Sequence, residues 1–216
     1  NFLPSVGRLV KYRPPAEQIS DGVTLRNDTG VFEGGEISIW YDPMIAKLCT
    51  HAPTRAGAIT AMAQGLDGFY IDGIQHNVPF VSAIMDNPRW KEGTLSTGFI
   101  AEEFPDGFKG NAITPELADR LTTVACVLDH VENRRKRKIT GQMSGRAVKF
   151  SRGRKVKLGD EWYDAEVVHE TERLIQILLP GERGERAIVS QWTPGLPVWH
   201  GIIDGEEISV QVRRIS

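Results

Sequence analysis

The apolar positions of this chain follow two different rhythms. Residues 8–12 (Arg-Leu-Val-Lys-Tyr) alternate and read as a strand, and residues 36–40 (Glu-Ile-Ser-Ile-Trp) alternate in the same way. Residues 44–50 form an apolar run that suits a strand or a buried segment. Thr54 is placed to cap a helix beginning at Arg55, with Ile59, Met62 and Leu66 at helical spacing. A short strand over residues 69–71 ends at Asp72-Gly73. Asn77 is placed to cap a second helix carrying Phe80, Val81, Ile84 and Met85, which Asn87-Pro88 should stop. Residues 97–104 predict a short terminal helix.

The texture then changes. Residues 105–111 (Pro-Asp-Gly-Phe-Lys-Gly-Asn) are rich in turn formers, and a domain boundary is expected there, dividing the chain into 1–108 and 109–216. The second part opens with Thr114 as N-cap and Pro115 in the first turn. Glu116 and Asp119 favour the positive helix start, and the basic residues from Arg134 favour its negative end. Leu117, Leu121, Val124, Leu128 and Val131 recur at spacings of four, three, four and three, which predicts one buried apolar stripe on a long helix. After Ile139 the pattern becomes strand-like over residues 146–150, 162–169, 174–179, 185–190, 198–203 and 207–213. Gly159-Asp160, Pro180-Gly181, Pro194-Gly195 and Asp204-Gly205 punctuate them. The expected class is α+β: a mixed sheet with helices, then a long helix packed in an antiparallel β-barrel.

Composition fits a packed protein. Apolar residues are 40% of the 216 and charged residues 25%. The net charge of −2 gives no general attraction to nucleic acid or anionic membrane. No apolar run reaches the about 18 residues of a membrane span. Cys49 and Cys126 lie in apolar surroundings without a CxxC partner, which favours buried free thiols in a reducing compartment and leaves a disulfide open. The opening Asn-Phe-Leu-Pro has no initiator Met and no secretory pattern, so the chain is expected to begin inside a longer one. Residues 213–216 stop inside an apparent strand, so the barrel is expected to continue past them.

Self-sufficient catalytic motifs are absent: there is no GxxxxGK loop, no HExxH and no GxSxG. None of His51, His76, His130, His169 and His200 has a second ligand at metal-binding spacing, and each reads as structural or surface. Glu102-Glu103 and Glu206-Glu207 are adjacent pairs with no assigned acid–base work. The run Arg134-Arg135-Lys136-Arg137-Lys138 is the strongest local charge feature, and its repulsion asks for a compensating partner. Docking to an acidic protein, nucleic-acid contact and interaction with the helix dipole are the readings. Nucleic acid is the least favoured, because no aromatic is interleaved and Asp129 and Glu132 lie close by.

Arg26 would pass as a surface arginine but for its surroundings. Residues 1–7 (Asn-Phe-Leu-Pro-Ser-Val-Gly), Arg26-Asn27-Asp28, Glu33-Gly34-Gly35, residues 41–48 (Tyr-Asp-Pro-Met-Ile-Ala-Lys-Leu), Asp72-Gly73-Ile74 with Asn77, and Thr97-Gly98-Phe99-Ile100 follow one another in order. Together they resemble the C-terminal domain of biotin carboxylases over residues 1–104. Residues 115–121, 129–137 and the strands that follow resemble, less specifically, the linker domain of acyl-CoA carboxylase α subunits of the propionyl type. That family places a long helix in an antiparallel barrel and uses it to dock the carboxyltransferase β subunit.

The resemblance implies a ligase working with biotin, ATP and Mg2+. Bicarbonate and acyl-CoA would be substrates of the holoenzyme, and a biotin carboxyl carrier domain of the same polypeptide would be a partner. It implies that Arg26 contacts bicarbonate, phosphate or the biotin ureido oxygen, a task suited to a permanently charged planar donor. Most ATP and metal ligands would lie outside this stretch. Arg134, Arg135, Arg137 and Lys138 are the expected docking residues. The compartment implied is the bacterial cytoplasm or the mitochondrial matrix, without membrane association. The alternative is a non-catalytic module using residues 134–138 to bind an acidic protein or nucleic acid.

Overall fold

A computed structural model describes residues 5–40, 42–110, 112–137, 150–171 and 174–213. They form two compact units, Asn1–Asn111 and Ala112–Ser216.

The first unit contains three small antiparallel sheets. β1 (Gly7–Arg8) pairs with β5 (Glu36–Ile37), β2 (Lys11–Arg13) pairs with β7 (Tyr70–Asp72), and β3 (Gln18–Ser20), β4 (Val23–Thr29) and β6 (Ala46–His51) lie side by side. The alternation of residues 8–12 therefore covers two strands. The chain changes partner at Leu9, which is fully buried: Leu9 N–H donates to the Gly35 carbonyl and Val10 N–H to that of Asp72, each at 2.8 Å. The expected strand 36–40 ends at Ile37. Ser38 Oγ takes the Trp40 N–H at 3.1 Å, a local bond that competes with the ladder, and Ile39 and Trp40 are left exposed.

α1 (Arg55–Asp67) begins as the sequence predicts, with Thr54 Oγ1 accepting from Gly57 N–H at 3.1 Å. Asn77 stands at the start of α2 (Val78–Asp86) but makes no side-chain cap. Asn87-Pro88, read as a stop, also starts another helix, α3 (Pro88–Glu92). Asn87 Oδ1 accepts from Trp90 N–H, and Pro88 occupies the first turn, where its missing N–H costs nothing. α4 (Phe99–Glu103) is held by Arg89, which reaches Glu102 at 2.7 Å and Glu103 at 2.9 Å. Phe108, within the turn-rich segment, packs back on Phe80, with ring centroids 5.6 Å apart. Leu9, Tyr12, Ile37, Phe69 and Ile71 make one core cluster, and Ile59, Leu66 and Met85 another.

The second unit is α5 (Pro115–Arg137) and a meander of β8 (Gly153–Leu158), β9 (Glu161–Glu170), β10 (Ile175–Leu179), β11 (Gly184–Ser190), β12 (Val198–Ile203) and β13 (Glu206–Gln211). Each strand pairs with the next, so the described strands form an open sheet with β8 and β13 at its edges, against which α5 packs along β8, β9 and β10. Between β9 and β10 the register skips Val168, a bulge that bends the sheet around the helix. The expected strand 146–150 lies outside the described residues except for Phe150, which is not in a strand. β8 has no counterpart among the expected strands. Lys155 and Lys157 alternate outward with Arg154, Val156 and Leu158 on the half-buried side, so its strongly basic composition conceals a two-residue period.

The helix buries more than the expected stripe, of which Val124, Leu128 and Val131 pack in or against the core. Leu117 is exposed and Leu121, Leu128 and Val131 are only half-buried, whereas Ala118, Thr122, Thr123, Cys126, Val127, His130 and Asn133 are buried with Val124. At about 100° per residue, Thr122, Cys126 and Asn133 lie opposite the leucine stripe. Small side chains there let the sheet approach the helix axis, and Val124, Cys126 and Val127 meet Ala165, Ile177, Leu179 and Trp199 in the core. Two of the buried polar groups are bonded locally: Thr123 Oγ1 donates to the Asp119 carbonyl at 2.7 Å, and Asn133 Nδ2 to Asp129 at 2.7 Å. Glu170 at the end of β9 ties the sheet to the helix, 2.9 Å from His130 Nε2 and 3.0 Å from Arg134. Cys49 and Cys126 are both free; Cys49 is half-buried rather than core, and burial pushes the Cys126 thiol up to about 11.

Two stability predictions follow from this packing. Gly73 has φ +105°, and a Cβ there would lie 2.3 Å from the Arg8 carbonyl oxygen. Gly73→Ala should destabilise the first unit by on the order of 3 kcal/mol in urea denaturation; an unchanged midpoint would contradict the close approach of these two segments. Burial raises the Glu170 carboxyl, but the charges and hydrogen bonds of His130 and Arg134 outweigh that and hold it below its usual 4.5. Its stabilising contribution is then complete above the unfolded value and is lost as pH falls through the lower folded value. Glu170→Gln should cost the second unit about 1 kcal/mol near neutral pH. The difference from wild type should vanish as pH falls through that lower folded value, and a pH-independent difference would argue against the ion pair.

Candidate functional site

β4 carries the candidate residue. Successive side chains on a strand point to opposite faces, and here the inner face is fixed by Leu25, which is buried. Asn27 and Thr29 share that inner face. Asn27 Nδ2 donates to Tyr12 Oη at 3.3 Å, Tyr12 Oη donates to Thr29 Oγ1 at 3.0 Å, and Thr29 Oγ1 donates to the Ile45 carbonyl at 2.9 Å. Glu33 fixes the backbone beside them by accepting from Tyr12 N–H at 3.1 Å, with Arg13 at 2.6 Å. The Tyr12 hydrogen bond holds the Glu33 carboxyl below the usual carboxylate value against the opposing effect of burial, with Arg13 and Lys11 adding to it.

The outer face of the same strand presents Thr24, Arg26 and Asp28. Pairing with β6 sets His51 opposite Thr24, Cys49 opposite Arg26 and Lys47 opposite Asp28. Arg26, whose side chain is 63% exposed, is ion-paired to Asp28 through Nε at 2.9 Å and Nη2 at 2.9 Å. The Asp28 hydrogen bond and charge raise the Arg26 guanidinium above its ordinary value, so it stays cationic. The face is open and polar, and it joins one fixed cation to a lysine, a thiol and an imidazole. Such a surface can offer hydrogen-bond donors to an oxyanion without a desolvated pocket of its own.

The described concavities of the first unit include a cavity of about 740 Å³ lined by Met44, Leu48, Met62, Phe80, Val81 and Met85, among others. Leu48 belongs to the face of β6 turned away from Arg26, so this apolar space is separate from the polar one. Among the described residues there is no group of three or more His, Cys, Asp or Glu able to hold a metal ion. No described helix is long and apolar enough to cross a membrane.

The expected docking residues do not form one uniform patch. Arg134 is bound to Glu170, and the Arg137 guanidinium lies 5.1 Å from the centroid of Phe150. Arg135 and Lys136 are exposed, and Lys138 lies outside the described residues. Sequence reasoning missed Asp28, Lys47, Cys49 and His51 as neighbours of Arg26. The two-residue period could have linked Asp28 to Arg26; the other three depend on the β4–β6 register, which no local pattern announces.

Comparison with known proteins agrees with this architecture. Residues 1–102 match the biotin carboxylase C-terminal domain, and residues 121–216 match the propionyl-coenzyme A carboxylase BT domain. A propionyl-CoA carboxylase alpha chain from Ruegeria pomeroyi is 39% identical over 236 aligned residues, covering 100% of this chain and 34% of the relative. The mitochondrial propionyl-CoA carboxylase alpha chain of Rattus norvegicus is 42% identical over 126 residues, 58% of this chain and 17% of the relative. A mitochondrial methylcrotonoyl-CoA carboxylase subunit alpha from Dictyostelium discoideum is 39% identical over 100 residues, 46% of this chain and 14% of the relative. The chain thus spans about a third of the length of the relative it matches from end to end. It belongs to the biotin carboxylase C-terminal domain family through its first half and to the propionyl-coenzyme A carboxylase BT domain family through its second.

Proposed function

We propose that this chain is the part of a biotin-dependent acyl-CoA carboxylase α subunit, of the propionyl type, that completes the biotin-carboxylating site and docks the carboxyltransferase β subunit. The observation that carries the reading is the succession of the two matched domains in a chain that aligns with a propionyl-CoA carboxylase alpha chain over its whole length. The activity is then that of a ligase: ATP- and bicarbonate-dependent carboxylation of biotin. Biotin supplies the ureido nitrogen that accepts the carboxyl group, and ATP with Mg2+ supplies the activation of bicarbonate. The described residues do not fit a metal site, so no step is assigned to them through Mg2+.

Arg26 fits an oxyanion. Its exposed, permanently charged guanidinium would bind bicarbonate, a phosphate or the ureido oxygen and stabilise negative charge as it develops there. The second unit would act in assembly, with exposed Arg135 and Lys136 on a helix that Arg134 anchors to the sheet. The acyl group would be chosen on the β subunit, and the methylcrotonoyl relative matches part of the same chain. Propionyl-CoA is proposed from the second domain and the Ruegeria relative. The biotin carboxyl carrier domain would be a partner within the same subunit, and the compartment would follow the source, cytoplasmic in a bacterium or the mitochondrial matrix. A free-standing module for acidic proteins or nucleic acid is not favoured, since Arg134 and Arg137 are engaged within their own unit.

Two experiments test this. In the full-length subunit, Arg26→Ala should slow biotin carboxylation by on the order of a hundredfold, as for loss of an oxyanion donor. Wild-type rates of carboxylation and of bicarbonate-dependent ATP hydrolysis would make Arg26 an ordinary surface residue. The immobilised chain should also retain a purified propionyl-CoA carboxylase β subunit, and removal of the second unit should abolish retention. Failure of the intact, folded chain to retain it would remove the docking role.

A further inference from the structure

Two strands of the first unit end their sheets beside one cavity. β6 has β4 on one side and β7 has β2 on one side, and among the described residues neither has a neighbour on its other edge. In an antiparallel pair the N–H and C=O of one residue point to the same side, and successive residues alternate. Asn27 gives its N–H to Glu17, on the side of β3, so its cross-strand partner Leu48 turns its own N–H and C=O to the free edge of β6. Ala46, two residues away, shares that direction. On β7 the same alternation holds. Tyr12 gives its N–H to Glu33 rather than to its partner Ile71, so Ile71 also directs its peptide groups to the free edge. Among the described residues, nothing bonds the N–H or C=O that Ala46, Leu48 and Ile71 turn outward. Ile71 is 2% exposed, and a buried peptide group without a partner is a cost that folded proteins rarely carry.

These residues line the cavity of about 740 Å³ together with Met62 of α1 and Val81 and Met85 of α2. The space is thus a slot with two open strand edges and an apolar layer of helix side chains, on which one face of a further strand would pack. Its size agrees. With a rise of roughly 3.3 Å, a strand spacing of roughly 4.8 Å and a layer spacing of about 10 Å, one strand residue takes on the order of 160 Å³. The cavity therefore holds about four or five residues, within the ordinary range of strand lengths. We propose that the slot receives a strand of the same α subunit, supplied by polypeptide outside residues 1–216, which pairs with β6 and β7 at once and joins their two sheets. Two observations favour that occupant over a separate chain. Ser5 is itself a lining residue, held by accepting the Gln75 N–H at 3.0 Å. A stretch of four residues spans at most about 14 Å, so polypeptide joined ahead of Asn1 would start beside the slot. The Ruegeria relative is covered over only 34% of its length, which leaves ample chain to supply a strand. The inference rests on the reading of this chain as part of such a longer subunit. The inserted strand should alternate, with apolar side chains at every second position turned to α1 and α2.

The test uses the full-length α subunit, purified without its β subunit, with photo-methionine in place of methionine and amide hydrogen exchange read in parallel. Met44, Met62 and Met85 line the slot. On irradiation they should cross-link to one segment of the same subunit outside residues 1–216, and a mixture of isotopically light and heavy subunits should give no mixed products. The amides of Leu48 and Ile71 should exchange on the order of a hundredfold more slowly than unpaired ones, as slowly as those of Cys49 and Asp72, which face β4 and β2. Fast exchange at Leu48 and Ile71 beside protected Cys49 and Asp72 would mean open edges and overturn the proposal. Mixed light–heavy products would make the occupant a second copy and overturn it too. So would protection that appears only when the β subunit is added. Biotin carboxylation by the same preparation keeps the two readings apart. An inactive subunit with cross-link and protection intact would count against the proposed function and leave the inserted strand standing. An active subunit with open edges would remove the strand alone.

Discussion

Leu25 beneath β4 is the contact on which the site depends. α1 crosses the inner face of the sheet at Gly65, where an added Cβ would stand 2.7 Å from Leu25 Cδ1 and 3.2 Å from Leu48 Cδ2. The helix lies as near to the sheet as a glycine allows, and Leu25 fills the space between them. Side chains alternate along a strand, so a slip of one residue would expose Leu25 and turn Arg26 into the apolar layer. Exposing the leucine forfeits about 1.5–3 kcal/mol, and burying an unpaired guanidinium costs several more. The packing of an apolar residue therefore decides which way the charged one points. The open face, the pairing with Asp28 and the neighbourhood of Lys47, Cys49 and His51 follow from that one register.

The second unit solves a different problem with similar means. Its helix is wrapped by a sheet that needs a close approach, and small side chains permit one. Thr122, Thr123 and Cys126 are fully buried where leucines would hold the sheet away. The cost is buried polar chemistry, and it is met locally for Thr123 and Asn133. At the two ends of the interface, Asp119 receives Arg183 at 3.1 Å and Glu170 receives His130 and Arg134. Arg134, which looks like a free docking charge in the sequence, is in part a structural tie between helix and sheet.

Much of this was legible from sequence because it is local. Thr54 and Thr114 cap their helices, Asp72-Gly73 ends its strand, and the Gly-containing turns of the second unit separate strands that pair in sequence order. What failed was what neighbours decide. The alternation of residues 8–12 cannot reveal that Leu9 is a crossing point between two sheets. Asn87-Pro88 ends α2 as expected and also opens α3, a second use that the stop signal does not announce. Part of the apolar stripe of α5 packs on the core, through Val124, Leu128 and Val131, but burial extends to smaller residues on the opposite side, such as Thr122 and Cys126. For the candidate site, the ordered landmarks pointed to Arg26, while the residues around it depend on strand pairing.

The proposed role of Arg26 is to bind a reacting oxyanion on the outer face of β4. The most direct measurement is the structure of the complete subunit with bicarbonate and biotin bound. That role predicts an Arg26 Nη atom within about 3 Å of a bicarbonate, phosphate or ureido oxygen. A bound state in which Arg26 faces solvent and the oxyanions are held wholly by other residues would contradict it.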